Sequence, residues 1–162
     1  MILPILRWPD ARLMQPCQPA TLSDPLRALA ADMLDTMYDA AGRGLAAPQV
    51  GHLLRMFVMD VGWKSGPRTP CVMVNPQILS LSGSRATGPE GCLSIPGPTT
   101  LISRATEVQM QWMDLDGARQ EACLTGFAAI CAQHEYDHLD GVLTLDRLSP
   151  DARAQAEAEV LA

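Results

Sequence analysis

His134-Glu135-Tyr136-Asp137-His138 sets two histidines at i and i+4. On a helix those positions share one face, so both imidazoles can reach a single metal ion. The glutamate beside the first histidine can then reach a water on that ion. A bound divalent metal lowers the water's pKa and creates a nucleophile near neutral pH. Glu135 would take the water's proton and hand it to a leaving amine. The implied chemistry is metal-assisted hydrolysis. The alternative is two surface histidines on a charged helix face. Ala129-Ile130-Cys131-Ala132 weigh against it, because they make the preceding turns apolar.

Catalytic metal sites usually take three protein ligands and keep one position open. Downstream, one zinc-protease class continues HExxHxxGxxH. Gly141 fits that pattern, but Thr144 stands where the third histidine is required. Glu157 and Glu159 offer carboxylates from an exposed-looking terminal segment, and His52 follows Gly51 without any spacing that favours it. Upstream, Glu90-Gly91-Cys92-Leu93-Ser94-Ile95-Pro96 puts a cysteine between Gly and Leu-Ser in a loop between strand-like runs. Such a cysteine can present a thiolate to a metal, although lone cysteines are mostly small buried hydrophobes. Cys131, amid apolar neighbours, reads as core packing. In Gly42-Arg43-Gly44-Leu45-Ala46-Ala47-Pro48-Gln49, small residues permit close backbone approach and Gln49 offers an amide donor. By itself the segment is a helix stop leading into a loop.

The elements that must hold these residues follow from periodicity. Residues 1–24 are proline-rich and read as an extended arm with a turn at Pro9-Asp10. Ser23-Asp24-Pro25 is a helix start, and Leu26, Leu29, Ala30, Met33, Leu34 and Met37 form one apolar stripe that ends at Ala41–Gly44. Residues 56–61, 71–74 and 77–81 read as three strands. Thr106–Met113 alternates, and Asp114-Leu115-Asp116-Gly117 turns it into Arg119–Leu124 as a hairpin. Gly126 to Leu139 lacks proline and internal glycine and reads as the helix that carries both histidines, closed by Gly141. Residues 150–162 read as a terminal helix. The expected class is α+β, a mostly antiparallel sheet packed around one buried helix, with residues 1–162 forming a single catalytic domain.

Composition bounds the function. The apolar share is 48% and the charged share 19%, ordinary for a globular chain. A net charge of -6 argues against nucleic-acid binding, which calls for a basic face. No apolar run spans a membrane, and Met1-Ile2-Leu3-Pro4 does not open a signal peptide. Five cysteines without CxxC spacing suit a reducing compartment, so the cytoplasm is expected.

Taken in order, GxGLAAPQ, EGCLS and QHExDHL resemble the three signature motifs of the peptide deformylases. Asn75-Pro76 and Arg104 also fall where that family places them, and the resemblance runs from about Ile5 to Leu148. It implies Cys92, His134 and His138 as metal ligands and Glu135 as general acid/base. It implies an oxyanion hole from the Gln49 amide and the Leu93 N–H. Gly44, Arg43 and Gly91 would contact the substrate, Gly44 through its backbone. The implied activity removes the N-formyl group from the initiator methionine of nascent bacterial or organellar chains. The metal would be Fe(II) in the cell, with Zn, Ni or Co able to substitute. A monomer in the bacterial cytoplasm is implied, with N-formylmethionyl peptides as partners. Transient ribosome association through residues 151–162 fits the family, but Asp151, Glu157, Glu159 and the terminal carboxylate suit RNA poorly. The resemblance also implies that Glu90 supports the loop through an arginine; a plain surface salt bridge is the alternative.

The chain departs from the pattern at Arg43, where typical members carry Ile or Val. The guanidinium either narrows the pocket for the first side chain or turns toward an acidic group. Gly97-Pro98-Thr99-Thr100 also lacks an arginine that some members place there. These changes bear on substrate range. They keep open a paralogue acting on a different N-acyl peptide or amide, or a non-catalytic binding module. The full polar set at Glu135, Gln49 and the three ligands disfavours the second.

Overall fold

In the computed structural model, which describes residues 1–162, Ser23 starts the first helix, α1 (Asp24–Asp39). Its hydroxyl accepts the Leu26 N–H at 3.2 Å, and Pro25 occupies the first turn, where a missing N–H costs nothing. The apolar stripe read from sequence is the buried face of α1, with Leu26, Leu29, Ala30, Met33 and Met37 in the core.

Five strands form the main sheet: β1 (Gly44–Ala46), β2 (Met56–Met59), β3 (Cys71–Leu81), β6 (Glu107–Met113) and β7 (Arg119–Thr125), in the order β1-β2-β3-β6-β7. Every neighbouring pair is antiparallel. β2 is buried along its whole length because helices cover both faces. Met56 and Val58 pack with α1, while Phe57 and Met59 pack with the second helix, α2 (Gly126–Leu139). This two-sided burial explains an unbroken apolar run in an antiparallel sheet. The turn before β7 lies at Asp114–Gly117, with Gly117 in the left-handed region at φ 85°.

Two expectations change. Residues 71–74 and 77–81 are one strand, not two. The ladder shifts register between Val74 and Gln77, where Asn75 takes φ 49° and Pro76 lacks an N–H. The Asn75 amide compensates by bonding the N–H and C=O of Ala20 at 2.8 and 2.9 Å. The segment read as a loop around Cys92 is a second hairpin, β4 (Arg85–Cys92) and β5 (Ile95–Ala105), in its own two-stranded sheet. Its first strand is almost entirely solvent-facing, with only Glu90 buried, so it carries no apolar alternation.

α2 ends where Gly141 takes φ 72°. A Cβ there would lie 2.7 Å from the Met14 backbone and 2.9 Å from that of Gln15, so glycine is needed for both conformation and space. The last helix, α3 (Pro150–Leu161), is capped by Ser149 and docks through Ala156 against Leu13, Ile95, Leu143 and Leu145. No helix is long and apolar enough to cross a membrane.

Candidate metal centre

α2 carries His134 and His138 one turn apart, their ring centroids 5.1 Å from each other. The tight turn Leu93-Ser94 of the β4–β5 hairpin brings Cys92 to the same point, with Cys92 Sγ 3.5 Å from His138 Nε2. One ligand atom from each of Cys92, His134 and His138 lies within 4.8 Å of the others. Tetrahedral coordination with metal–sulfur near 2.3 Å and metal–nitrogen near 2.0–2.1 Å puts S and N about 3.6 Å apart. The Cys92–His138 spacing therefore already fits a shared divalent ion. The other ligands weighed from sequence stay outside: His52 is exposed, Glu159 is exposed, and Glu157 accepts from Arg153 at 2.8 Å.

A buried charge network orients the histidines. Glu90 Oε1 meets His134 Nδ1 at 2.9 Å, which turns Nε2 toward the cluster. Arg104 donates to both oxygens of Glu90 at 3.0 Å and to Asp137 at 2.6 Å; Arg147 then clamps Asp137 at 2.6 and 2.7 Å. Arg104 is 3% exposed. The surface-salt-bridge alternative for Glu90 and Arg104 is thus overturned. Burial pushes the Glu90 carboxyl up, but His134 and Arg104 outweigh it and hold it at about 2. Burial pushes both histidines toward the neutral form. His138 falls well below its ordinary value, while the Cys92 and Glu90 bonds lift His134 well above it.

Glu135 points into the same space. It is 3% exposed, its Oε2 has no partner, and burial raises its carboxyl to about 7. Gly44 on β1 makes room for it: a Cβ there would sit 3.0 Å from Glu135 Cγ and Cδ and 2.9 Å from Cys131 Sγ. Gln49 is fixed from both ends of its amide. Its Oε1 accepts the Ala46 N–H at 2.9 Å, and its Nε2 donates to Ser94 Oγ at 3.0 Å and faces Cys92 Sγ at 3.7 Å. Ser94 had no sequence signal beyond its place after Cys92. Cys131 is core, as read, and also forms part of the cavity wall.

A cavity of about 350 Å³ opens beside these groups, lined by Gly91 and Leu93 on one side and Phe127, Ile130 and Cys131 on another. Arg43 also lines it. Its place on the wall fits the first expectation for Arg43, a guanidinium that narrows the pocket. The second, a turn toward an acidic group, is not seen, since its guanidinium carbon lies 5.2 Å from the Phe127 ring centroid, over an aromatic face. Lys64 reaches the same cavity, and sequence reasoning gave no hint of it. Trp63, its neighbour, donates from Nε1 to the Gly42 carbonyl at 2.9 Å and ties that segment to the Gly42–Gly44 turn.

Residues 2–154 match the family model described as polypeptide deformylase. The chain is 50% identical to a peptide deformylase of Alkalilimnicola ehrlichii over 91% of its length and 83% of that protein. Among solved structures, a peptide deformylase from Legionella pneumophila superposes with a TM-score of 0.93 at 42% identity, covering 99% of this chain and 94% of that one. A Met-Ala-Ser-bound class I type b peptide deformylase from Acinetobacter baumannii gives 0.85 at 34% identity, covering 91% and 99%.

Proposed function

Since the chain belongs to the polypeptide deformylase family, we propose that Cys92, His134 and His138 hold its metal and that Glu135 is the general acid/base. The enzyme is a metal-dependent hydrolase that removes the N-formyl group from the initiator methionine of nascent polypeptides. Water is consumed, and formate and a free methionyl amine are released. When bound, a divalent ion polarises the amide carbonyl and makes water a competent nucleophile near neutral pH. Fe(II) is the proposed ion in the cell, with Zn, Ni or Co able to substitute. A soft thiolate beside two imidazoles suits all four.

The chain's own groups supply the rest. The unpartnered Glu135 Oε2 is free to accept a proton from water and deliver it to the leaving nitrogen. The Gln49 Nε2 and the Leu93 backbone N–H donate to the oxygen on which charge develops. A donor already held in place needs no reorganisation at that moment. β1 pairs with β2 alone, so its other edge leaves the Gly44 backbone open to an extended substrate. Gly91 supports the opposite side, and Phe127 walls the space for the first side chain, with Arg43 next to it at the cavity rim. The Met-Ala-Ser peptide bound to the Acinetobacter relative is the deformylated form of such a substrate.

Residues 1–162 are proposed to act as one catalytic domain and as a monomer in the bacterial cytoplasm. A net charge of -6 disfavours direct nucleic-acid readout, and any ribosome association is transient on the same ground. The carrying observation is the Cys92–His134–His138 cluster beside a buried, unpartnered Glu135 oxygen. The test is anaerobic deformylation of formyl-Met-Ala-Ser by Fe(II)- or Ni(II)-loaded protein, with Glu135→Ala alongside. A kcat/KM of about 10⁴ M⁻¹s⁻¹ or more is expected, lost in the variant while metal stays bound. No turnover by fully loaded protein would overturn the assignment.

A further inference from the structure

Two cations line the catalytic cavity without a carboxylate to neutralise them. Six of the eleven arginines of this acidic chain form ion pairs, among them Arg104 with Glu90 and Asp137, Arg147 with Asp137, and Arg153 with Asp146 and Glu157. Arg43 and Lys64 form none, and of the unpaired arginines Arg43 alone lines the catalytic cavity. The Arg43 guanidinium rests on Phe127, and the Lys64 ammonium rests 5.7 Å from the centroid of the Trp63 ring. Both line the cavity that holds Cys92, His134 and Glu135. Of the neighbouring carboxylates, Glu90 is clamped by Arg104 and His134, and Asp60 Oδ2 accepts from the Tyr38 hydroxyl and the Thr69 N–H at 2.6 and 2.8 Å. Glu135 and Asp60 each keep one buried oxygen without a partner, and neither forms an ion pair with Arg43 or Lys64. Stacking leaves a guanidinium's edge N–H groups free to donate, in a planar fork that matches a carboxylate.

Position decides what such a fork would meet. Arg43 directly precedes Gly44, the residue whose backbone edge faces the substrate in the reading above, on which this inference rests. Its side chain shares the wall with Phe127 and Ile130. The Trp63–Gly42 hydrogen bond holds the Lys64 segment against the same turn. We propose that Arg43 and Lys64 form a cationic rim that selects formyl-methionyl chains carrying an acidic side chain at the residue after methionine. The recognised group is a carboxylate on the substrate, held by a charge-assisted hydrogen bond to Arg43 and by the field of Lys64. In a nascent chain that carboxylate belongs to Asp or Glu, since the chain terminus lies far away.

The experiment compares formyl-Met-Asp-Ala-amide with formyl-Met-Asn-Ala-amide and formyl-Met-Lys-Ala-amide on the metal-loaded enzyme. The amidated ends remove the terminal carboxylate as a competing source of charge. The ratio of kcat/KM for Asp over Asn should be about tenfold at low salt, the sum of two partly exposed charge contacts. It should shrink as ionic strength rises and the Debye length falls toward about 3 Å at 1 M. The Lys peptide should be the poorest of the three. Arg43→Met and Lys64→Gln should each reduce the Asp/Asn ratio, and the double variant should bring it to about one. The ratio is internal to each protein, so a general loss of rate in a variant does not mask it. Calorimetric binding of the products Met-Asp-Ala-amide and Met-Asn-Ala-amide gives the same ratio without turnover. It separates failure of the rim from failure of the deformylase assignment. An Asp/Asn ratio near one in the unaltered protein, a ratio that survives the double substitution, or a preference seen only with a free C-terminal carboxylate would overturn the proposal.

Discussion

Arg104→Met should destabilise the protein by about 3 kcal/mol. The substitution keeps the stem's volume and removes a guanidinium that serves two buried carboxylates. Arg104 reaches both Glu90 oxygens at 3.0 Å and Asp137 at 2.6 Å, and the two acids are each 8% exposed. Breaking a buried pair by removing one partner costs roughly 3–5 kcal/mol, because the remaining charge is stranded out of water. The lower end applies here. Asp137 keeps Arg147, and Glu90 keeps the His134 ring. Urea unfolding at matched metal loading measures the loss, since bound metal itself stabilises the folded state. With a slope of about 2 kcal/mol/M, the midpoint should move by about 1.5 M. Arg153→Ala is the control. It also breaks two ion pairs, at 2.7 and 2.8 Å, but its side chain is 36% exposed and its partners 38% and 31%. Such pairs are worth less than about 1 kcal/mol. Adding Glu90→Gln to Arg104→Met should recover part of the loss by removing one stranded charge. Equal losses for Arg104→Met and Arg153→Ala would refute the reasoning from burial.

Gly44→Ala should lower kcat by about 100-fold with only a small fall in melting temperature, because the new Cβ would sit 3.0 Å from Glu135 Cγ and displace the carboxylate by a fraction of an ångström; unchanged kcat would show that the packing is slack. Cys92→Ser replaces a soft thiolate with a hydroxyl, so metal content after dialysis, read by elemental analysis, should drop well below one ion per chain. Full retention would remove Cys92 from the ligand set. Burial and the hydrogen bond to Asp60 raise the Tyr38 phenol to about 12. The folded state therefore favours the neutral form, so this contribution is complete below about pH 10 and is lost as pH climbs through about 12. Alkaline absorbance titration should show a late phase that Tyr38→Phe abolishes.

What could be read locally was read well. Ser23-Asp24-Pro25 and the three-four spacing of α1 act within one turn of helix, as do the Asp114–Gly117 turn and the Gly126–Leu139 helix. The i, i+4 spacing of His134 and His138 gives a metal-binding face by helix geometry alone. The third ligand was different. Spacing alone leaves His52, Glu157, Glu159 and Cys92 open, and only the resemblance to a family favours Cys92. Cys92 reaches the histidines because the β4–β5 hairpin folds back over α2, a contact between residues 46 apart in the chain. That hairpin carries no sequence pattern, because Arg85–Cys92 buries only Glu90 and so shows no alternation. The same holds for the Glu90–Arg104–Asp137–Arg147 network and for Arg43. A charged residue's type does not say whether a carboxylate, an aromatic ring or water will meet it. Local rules fix periodicity and caps. Which charges end up buried together, and which stay unmatched on a cavity wall, is decided only when distant segments pack.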